Sequence, residues 1–192
     1  IADLAGLPDT AGGCFVTGGT MGNLSALVTA RDVANRARMT GGQDRPIRWA
    51  VVASTSTHAS IDSAARVMDV DVLLADLDGE LRLTGDAVTA TINGRPAGTE
   101  VFAVVATAGT TNVGIVDALD SVADACAASG AWFHVDGAYG GAALAAPSVR
   151  NLYNGVERCD SLVVDPHKWL FSPFDCAALV YREPAAARRA HT

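Results

Sequence analysis

Short apolar runs alternate with stretches of helical periodicity along most of this chain. Residues 49–53, 70–74, 101–106, 131–136, 161–164 and 176–181 each read as a strand. The bare apolar character of Ser161-Leu162-Val163-Val164 is that of a strand buried on both faces of a parallel sheet. Between the strands, helices are predicted over residues 24–39, 60–68, 85–92 and 117–129, stopped by Gly41-Gly42, Asn93-Gly94 and Gly130. Residues 1–13 read as a loop, 14–16 as a brief apolar run, 151–155 as a connecting turn, and the alanine-rich residues after Pro184 as a tail. Strands alternating with helices predict one α/β domain built on a doubly wound, mostly parallel sheet.

Composition narrows the classes of function. The 192 residues are 49% hydrophobic, enough for one well-buried domain. A net charge of -7 argues against a nucleic-acid partner, because phosphate binding wants a basic face. The apolar run at 101–106 ends at Thr107, far short of a membrane span, so no membrane partner is expected. Cys14, Cys126, Cys159 and Cys176 lie far apart with no CxxC pair. They read as reduced thiols of a cytoplasmic protein without a metal site. The chain opens at Ile1 and closes at Thr192 without natural-looking ends, and is expected to be the core of a longer polypeptide.

The chemistry-bearing residues fall in loops past the carboxyl ends of predicted strands, where open α/β sheets place their ligands. Thr17-Gly18-Gly19-Thr20-Met21-Gly22-Asn23 enters a helix and is either an anion cradle or an ordinary glycine-rich cap. His58 is either a helix-start histidine or an imidazole lying flat on an aromatic ligand. Residues 107–111 either line a site or make a turn. Asp136 closes an apolar strand, either as a turn former or as the buried partner of a cation. His134, read as alternating away from the neighbours of Asp136, is assigned no chemistry. Lys168, in Asp165-Pro166-His167-Lys168-Trp169, is either a solvated charge or a nucleophilic amine. An anion cradle, an imidazole, a carboxylate and a lysine together match the needs of pyridoxal 5'-phosphate (PLP): an amine for its aldehyde, a carboxylate for its ring nitrogen, a helix start for its phosphate.

On these residues the chain resembles the group II PLP-dependent amino-acid decarboxylases, of the aspartate-aminotransferase-like fold type. The resemblance runs from Gly18 to Arg182. It is carried by His58-Ala59-Ser60, Ala106-Thr107-Ala108-Gly109-Thr110-Thr111, His134-Val135-Asp136-Gly137-Ala138-Tyr139, Gly155-Val156-Glu157 with Asp160-Ser161, and Pro166-His167-Lys168-Trp169. It looks closest to the aromatic-amino-acid branch. It implies that residues 1–192 are a PLP-binding large domain, without the amino-terminal segment and the carboxyl-terminal small domain. By the same resemblance Lys168 forms the Schiff base, Asp136 holds the pyridine nitrogen, Ala138 packs beneath the ring and His58 stacks above it. Gly19, Thr20 and Met21 bind phosphate, His167 adjoins the lysine and phosphate, and Thr111 lies near the ring hydroxyl.

The implied reaction is decarboxylation of an L-amino acid, aromatic favoured, to the amine and CO2. The implied assembly is a homodimer with its active sites at the subunit interface, where a loop beyond Thr192 supplies a tyrosine. The alternatives are another PLP reaction on the same scaffold (oxidative decarboxylation-deamination, an aldol-type lyase or a desulfurase) and a catalytically silent PLP-binding relative. Three residues depart from the family pattern. Met21 offers only its backbone N–H to a phosphate, Asp165 stands where asparagine is common, and Gly137 stands where alanine is usual, a mild change.

Overall fold

The computed structural model describes residues 1–192. In chain order its elements are α1 (Ala2–Ala5), β1 (Gly12–Val16), α2 (Gly19–Thr40), β2 (Arg48–Ser54), α3 (Ser60–Met68), β3 (Asp71–Ala75), α4 (Gly85–Asn93), β4 (Thr99–Thr107), α5 (Leu119–Ser129) and β5 (Trp132–Asp136). Three short 3-10 helices follow between residues 140 and 158, then β6 (Ser161–Val164), α6 (Pro166–Trp169), β7 (Ala177–Tyr181) and α7 (Pro184–His191).

The strands form one sheet in the order β1-β7-β6-β5-β4-β2-β3. The five strands from β6 to β3 run parallel, whereas β7 is antiparallel to both β6 and β1. With only the four-residue α6 between them, β6 and β7 join as antiparallel neighbours instead of through a full crossover helix. The mostly parallel sheet expected from the apolar runs is therefore present, with a mixed edge the runs did not disclose.

Alternation along each strand divides the core between the two faces of the sheet. Val52, Val104, Ala106, Phe133, Val135, Leu162 and Val164 face α4 and α5 in one cluster. On the other face Val51, Ala53, Ala103 and Val105 pack under α2 and α3, and Val163, Leu179 and Tyr181 pack with Ala26 of α2. Helix α2 lies close to the sheet because its contact stripe is small. A Cβ at Gly22 would come within 2.7 Å of Val163 Cγ2, so only glycine permits this approach.

Several boundaries differ from the sequence expectation. Helix α2 begins at Gly19, five residues before the apolar periodicity does, because its first turn faces a cavity rather than the core. Residues 2–5 are helical in what read as a loop. The turn expected at 151–155 lies within the run of 3-10 helices. The loop expected at 165–169 contains α6. The tail after Pro184 is α7, with the proline in its first turn, where a missing N–H costs nothing.

Candidate active site

The strand order reverses between β2 and β4, and there the loops after neighbouring parallel strands diverge and leave a crevice. Register brings the chemistry to one edge: Thr107 of β4 pairs with Asp136 of β5, and Asp136 with Val163 of β6. The first turn of α2 closes the crevice from one face. The result is a cavity of about 320 Å³ whose wall includes Gly19, Thr20, His58, Thr111, Asp136, Ala138, His167 and Lys168. Eight of the nine residues nominated from the sequence thus converge from five separate segments. The ninth, Met21, does not line the cavity: its side chain is 43% exposed and its N–H donates to the Gly18 carbonyl at 3.1 Å. The backbone contact expected of Met21 is consequently already spent inside the helix.

Asp136 is 4% exposed, and each of its oxygens accepts one hydrogen bond. Its Oδ1 accepts the Ala138 N–H at 3.0 Å, and its Oδ2 accepts the amide of Asn23 at 2.7 Å. Lys168 is more open, and its Nζ pairs with Asp165 Oδ2 at 2.9 Å. Asp165 itself is buried, and its other oxygen, Oδ1, has no partner. His167 accepts the Cys176 N–H on Nδ1 at 3.0 Å, which leaves Nε2 directed at Asp165 Oδ2, 3.7 Å away. His58 is exposed on the cavity wall and receives two bonds on Nδ1 from Ser60, one from the backbone N–H at 3.2 Å and one with the hydroxyl at 2.9 Å.

His134 requires a correction. Residues two apart on a strand share a face, so His134 lies beside Asp136, not away from it. It is wholly buried, and its ring nitrogens bond Asn23 Oδ1 at 2.9 Å and Ser161 Oγ at 2.8 Å. Burial pushes its pKa down to about 4, against the partial pull of Asp136, so the ring is neutral at physiological pH. Asp117 was also missed. It accepts the Thr107 N–H at 2.6 Å and the Leu83 N–H at 2.8 Å, and so pins the start of the 107–111 loop. Burial drives its pKa up to about 6, opposed by those two bonds. The available signal for His134 was a polar residue inside an otherwise apolar strand, a combination that usually means a dedicated partner.

Gly137 also proves less interchangeable than expected. A Cβ there would stand 2.9 Å from the Val163 carbonyl oxygen and 3.2 Å from Gly141 Cα, both rigid backbone. Alanine in its place would require the β5–β6 edge to shift.

The family model of the pyridoxal-dependent decarboxylase conserved domain matches residues 1–191. The chain belongs to the pyridoxal-dependent decarboxylase family. It is 37% identical over 186 residues to an aromatic-L-amino-acid decarboxylase of Bacillus atrophaeus, covering 95% of this chain and 37% of that protein. It is 38% identical over 192 residues to an L-2,4-diaminobutyrate decarboxylase of Rhizobium meliloti (strain 1021), covering 96% of this chain and 37% of that one. Its fold superposes on the crystal structure of Oryza sativa TDC with PLP and tryptamine at a TM-score of 0.89 and 33% identity, over 98% of this chain and 41% of that structure. The chain therefore spans well under half the length of these relatives.

The cavity of this decarboxylase-family chain fits the family's cofactor on its own features. Among the residues of its wall, Thr107 holds a buried hydroxyl, Oγ1, with no partner, a group that a bound ligand can satisfy. At Gly19 a Cβ would stand 2.9 Å from Ala138 Cβ and 3.0 Å from Asp165 Oδ2, so a side chain there would fill the cradle. The donor set, an amine, a buried carboxylate and a helix start, suits a carbonyl, a protonated pyridine and a phosphate respectively.

Proposed function

We propose that the protein decarboxylates an L-amino acid, aromatic substrates favoured, to the amine and CO2, and that this chain is its PLP-binding large domain. The observation that carries the reading is the convergence of Lys168 and Asp136 on one cavity, from loops 32 residues apart in sequence. Bound PLP supplies an electron sink for the bonding pair released when the Cα–carboxylate bond breaks.

The chain's own residues prepare the site for that chemistry. Lys168 is the attachment amine, and it must first leave its pair with Asp165. Asp136, buried and held by two donors, is preorganised to accept a hydrogen bond from the ring nitrogen and keep that nitrogen protonated. Ala138 is small enough to let a flat ring lie against β5, and His58 stands ready to cover the opposite face. Gly19 and Thr20 offer first-turn N–H groups, which lack intrahelical acceptors, to the phosphate. His167 adds a donor beside Lys168, and Thr111 lies near the ring hydroxyl.

The proposed assembly is a homodimer with the active site at the subunit interface. Supporting this, Phe174 on the cavity wall is 83% exposed and Phe171 is 90% exposed, and Trp169 and Leu170, in the same segment after Lys168, are exposed as well. The four unpaired cysteines suit a reducing compartment, and we place the protein in the cytoplasm.

The test is CO2 release by the complete protein across a panel of L-amino acids, with the amines identified. Aromatic amino acids should be turned over fastest. Faster turnover of 2,4-diaminobutyrate would overturn the substrate preference, and no CO2 from any substrate would overturn the reaction. Borohydride reduction should fix the cofactor to Lys168, and a tag on any other residue would refute the site assignment.

A further inference from the structure

Behind the cavity wall lies a continuous chain of buried polar groups whose hydrogen atoms can be placed from their chemistry alone. Asn23, on the second turn of α2, is 1% exposed. Its Nδ2 lies 2.7 Å from Asp136 Oδ2 and 2.9 Å from Ser60 Oγ, while its Oδ1 lies 2.9 Å from His134 Nε2. A carboxylate only accepts, so the NH2 group must face Asp136 and the carbonyl oxygen must face His134. His134 Nε2 must then carry the hydrogen. Ser161 Oγ lies 2.8 Å from Nδ1 and has no other acceptor for its hydrogen, so Nδ1 accepts it. Ser161 Oγ in turn accepts from Trp132 Nε1, a group that only donates, at 2.8 Å.

On the other arm, the second amide hydrogen of Asn23 goes to Ser60 Oγ, which passes its own hydrogen to His58 Nδ1 at 2.9 Å. The backbone N–H of Ser60 points at the same nitrogen at 3.2 Å, so Nδ1 is an acceptor by two independent contacts. Every donor has one acceptor, and the direction runs without conflict from Trp132 to a fork at Asn23.

We propose that Asn23 is a positioning residue that ties the two cofactor-facing groups together, orienting Asp136 directly and holding His58, through Ser60, in its Nε2–H tautomer. The consequence for the chemistry is specific. The only hydrogen His58 can offer is on the ring edge opposite Ser60, so the residue acts as a donor of defined direction, and Asp136 stays an acceptor whose Oδ2 cannot rotate away. The proposal rests on the reading of His58 and Asp136 as cofactor-facing residues, but the tautomer is a property of the chain alone.

The test is histidine-selective 15N NMR on the complete protein without cofactor, with a His58→Gln protein to assign the His58 signals. Wild type should show His58 as a single Nε2–H species. In Ser60→Ala the Asp136 bonds are untouched. There only the longer backbone contact remains on Nδ1, so the Nε2–H fraction should fall and a mixture of tautomers appear, while PLP dissociation changes less than twofold. In Asn23→Ala both effects should appear: the Nε2–H fraction falls because the Ser60 hydroxyl is no longer held toward Nδ1, and PLP binds about tenfold more weakly, as expected for deleting a hydrogen bond to a charged group. Should Asn23→Ala fail to fold, Ser60→Ala alone decides the tautomer. An Nδ1–H species in wild type, or an unaltered His58 signature in Ser60→Ala, would overturn the relay. A wild type with the expected tautomer but no CO2 release would instead overturn the proposed reaction and leave the relay standing.

Discussion

Protonating His134 should cost the folded state measurably, and the cost can be sized from its surroundings. The ring is fully buried, and its two nitrogens already have partners that suit only the neutral form. Its pKa falls from 6.5 in the unfolded chain to about 4 in the fold. The unfolded chain therefore binds the proton first as pH drops. Stability from this group is complete above pH 6.5 and is lost as pH falls from 6.5 to 4. At about 1.4 kcal/mol per tenfold change in proton affinity, the loss amounts to about 3 kcal/mol.

Asp117 acts with the opposite sign. Its pKa rises from 3.8 to about 6 on folding, so its contribution falls as pH rises through that window. The two contributions oppose each other in the wild-type profile, so a comparison is needed to expose the histidine. The perturbation is His134→Gln, which offers an amide donor and acceptor and does not titrate. Urea unfolding of both complete proteins, cofactor-free, should be followed by tryptophan fluorescence from pH 7.5 to 4. Wild type should be the more stable at pH 7.5, and its advantage should shrink by about 3 kcal/mol by pH 4. A stability difference that stays constant across the range would refute the account of His134 as a neutral ring held by burial.

Three further outcomes are expected. Asp136→Ala should weaken PLP binding at least tenfold and nearly abolish turnover; near-normal CO2 release would remove its assigned role. Asp165→Asn frees Lys168 from its pair and removes a negative charge beside the phosphate cradle, so PLP should bind severalfold more tightly. The partly exposed pair limits the gain to about 1 kcal/mol, and weaker binding in a titration of the cofactor's absorbance would refute the direction. Phe133→Ala empties a buried site on the sheet face opposite the cavity and should cost about 3–5 kcal/mol in urea unfolding. A loss below about 1 kcal/mol would show that the α5 face of the sheet collapses to fill it.

Much of the frame was legible in the chain because its signals are local. Apolar runs such as 101–106 and 161–164 must be buried strands wherever they end up, and their carboxyl ends put Asp136 and Lys168 on one edge of a parallel sheet. The start of α2 was not legible. Gly19, Thr20 and Asn23 face a polar cavity, Met21 is exposed and Gly22 offers no side chain, so this first turn carries no apolar period although it is helical. Nor was the antiparallel β7, whose direction depends on how far the short α6 connection can reach.

What the sequence by itself determined is an inventory of candidates: Asp136, His58 and Lys168, each at or just past the end of a predictable strand, and a glycine-rich entry to a helix. What only the tertiary structure decided is how those groups are wired. Asn23 reaches Asp136 across 113 positions of sequence because Gly22 lets α2 settle onto Val163. His134 and Ser161 meet because β5 and β6 pair in register. Hydrogen bonds between distant segments depend on the approach of packed elements to within a few tenths of an ångström, and no local pattern of residues encodes that distance.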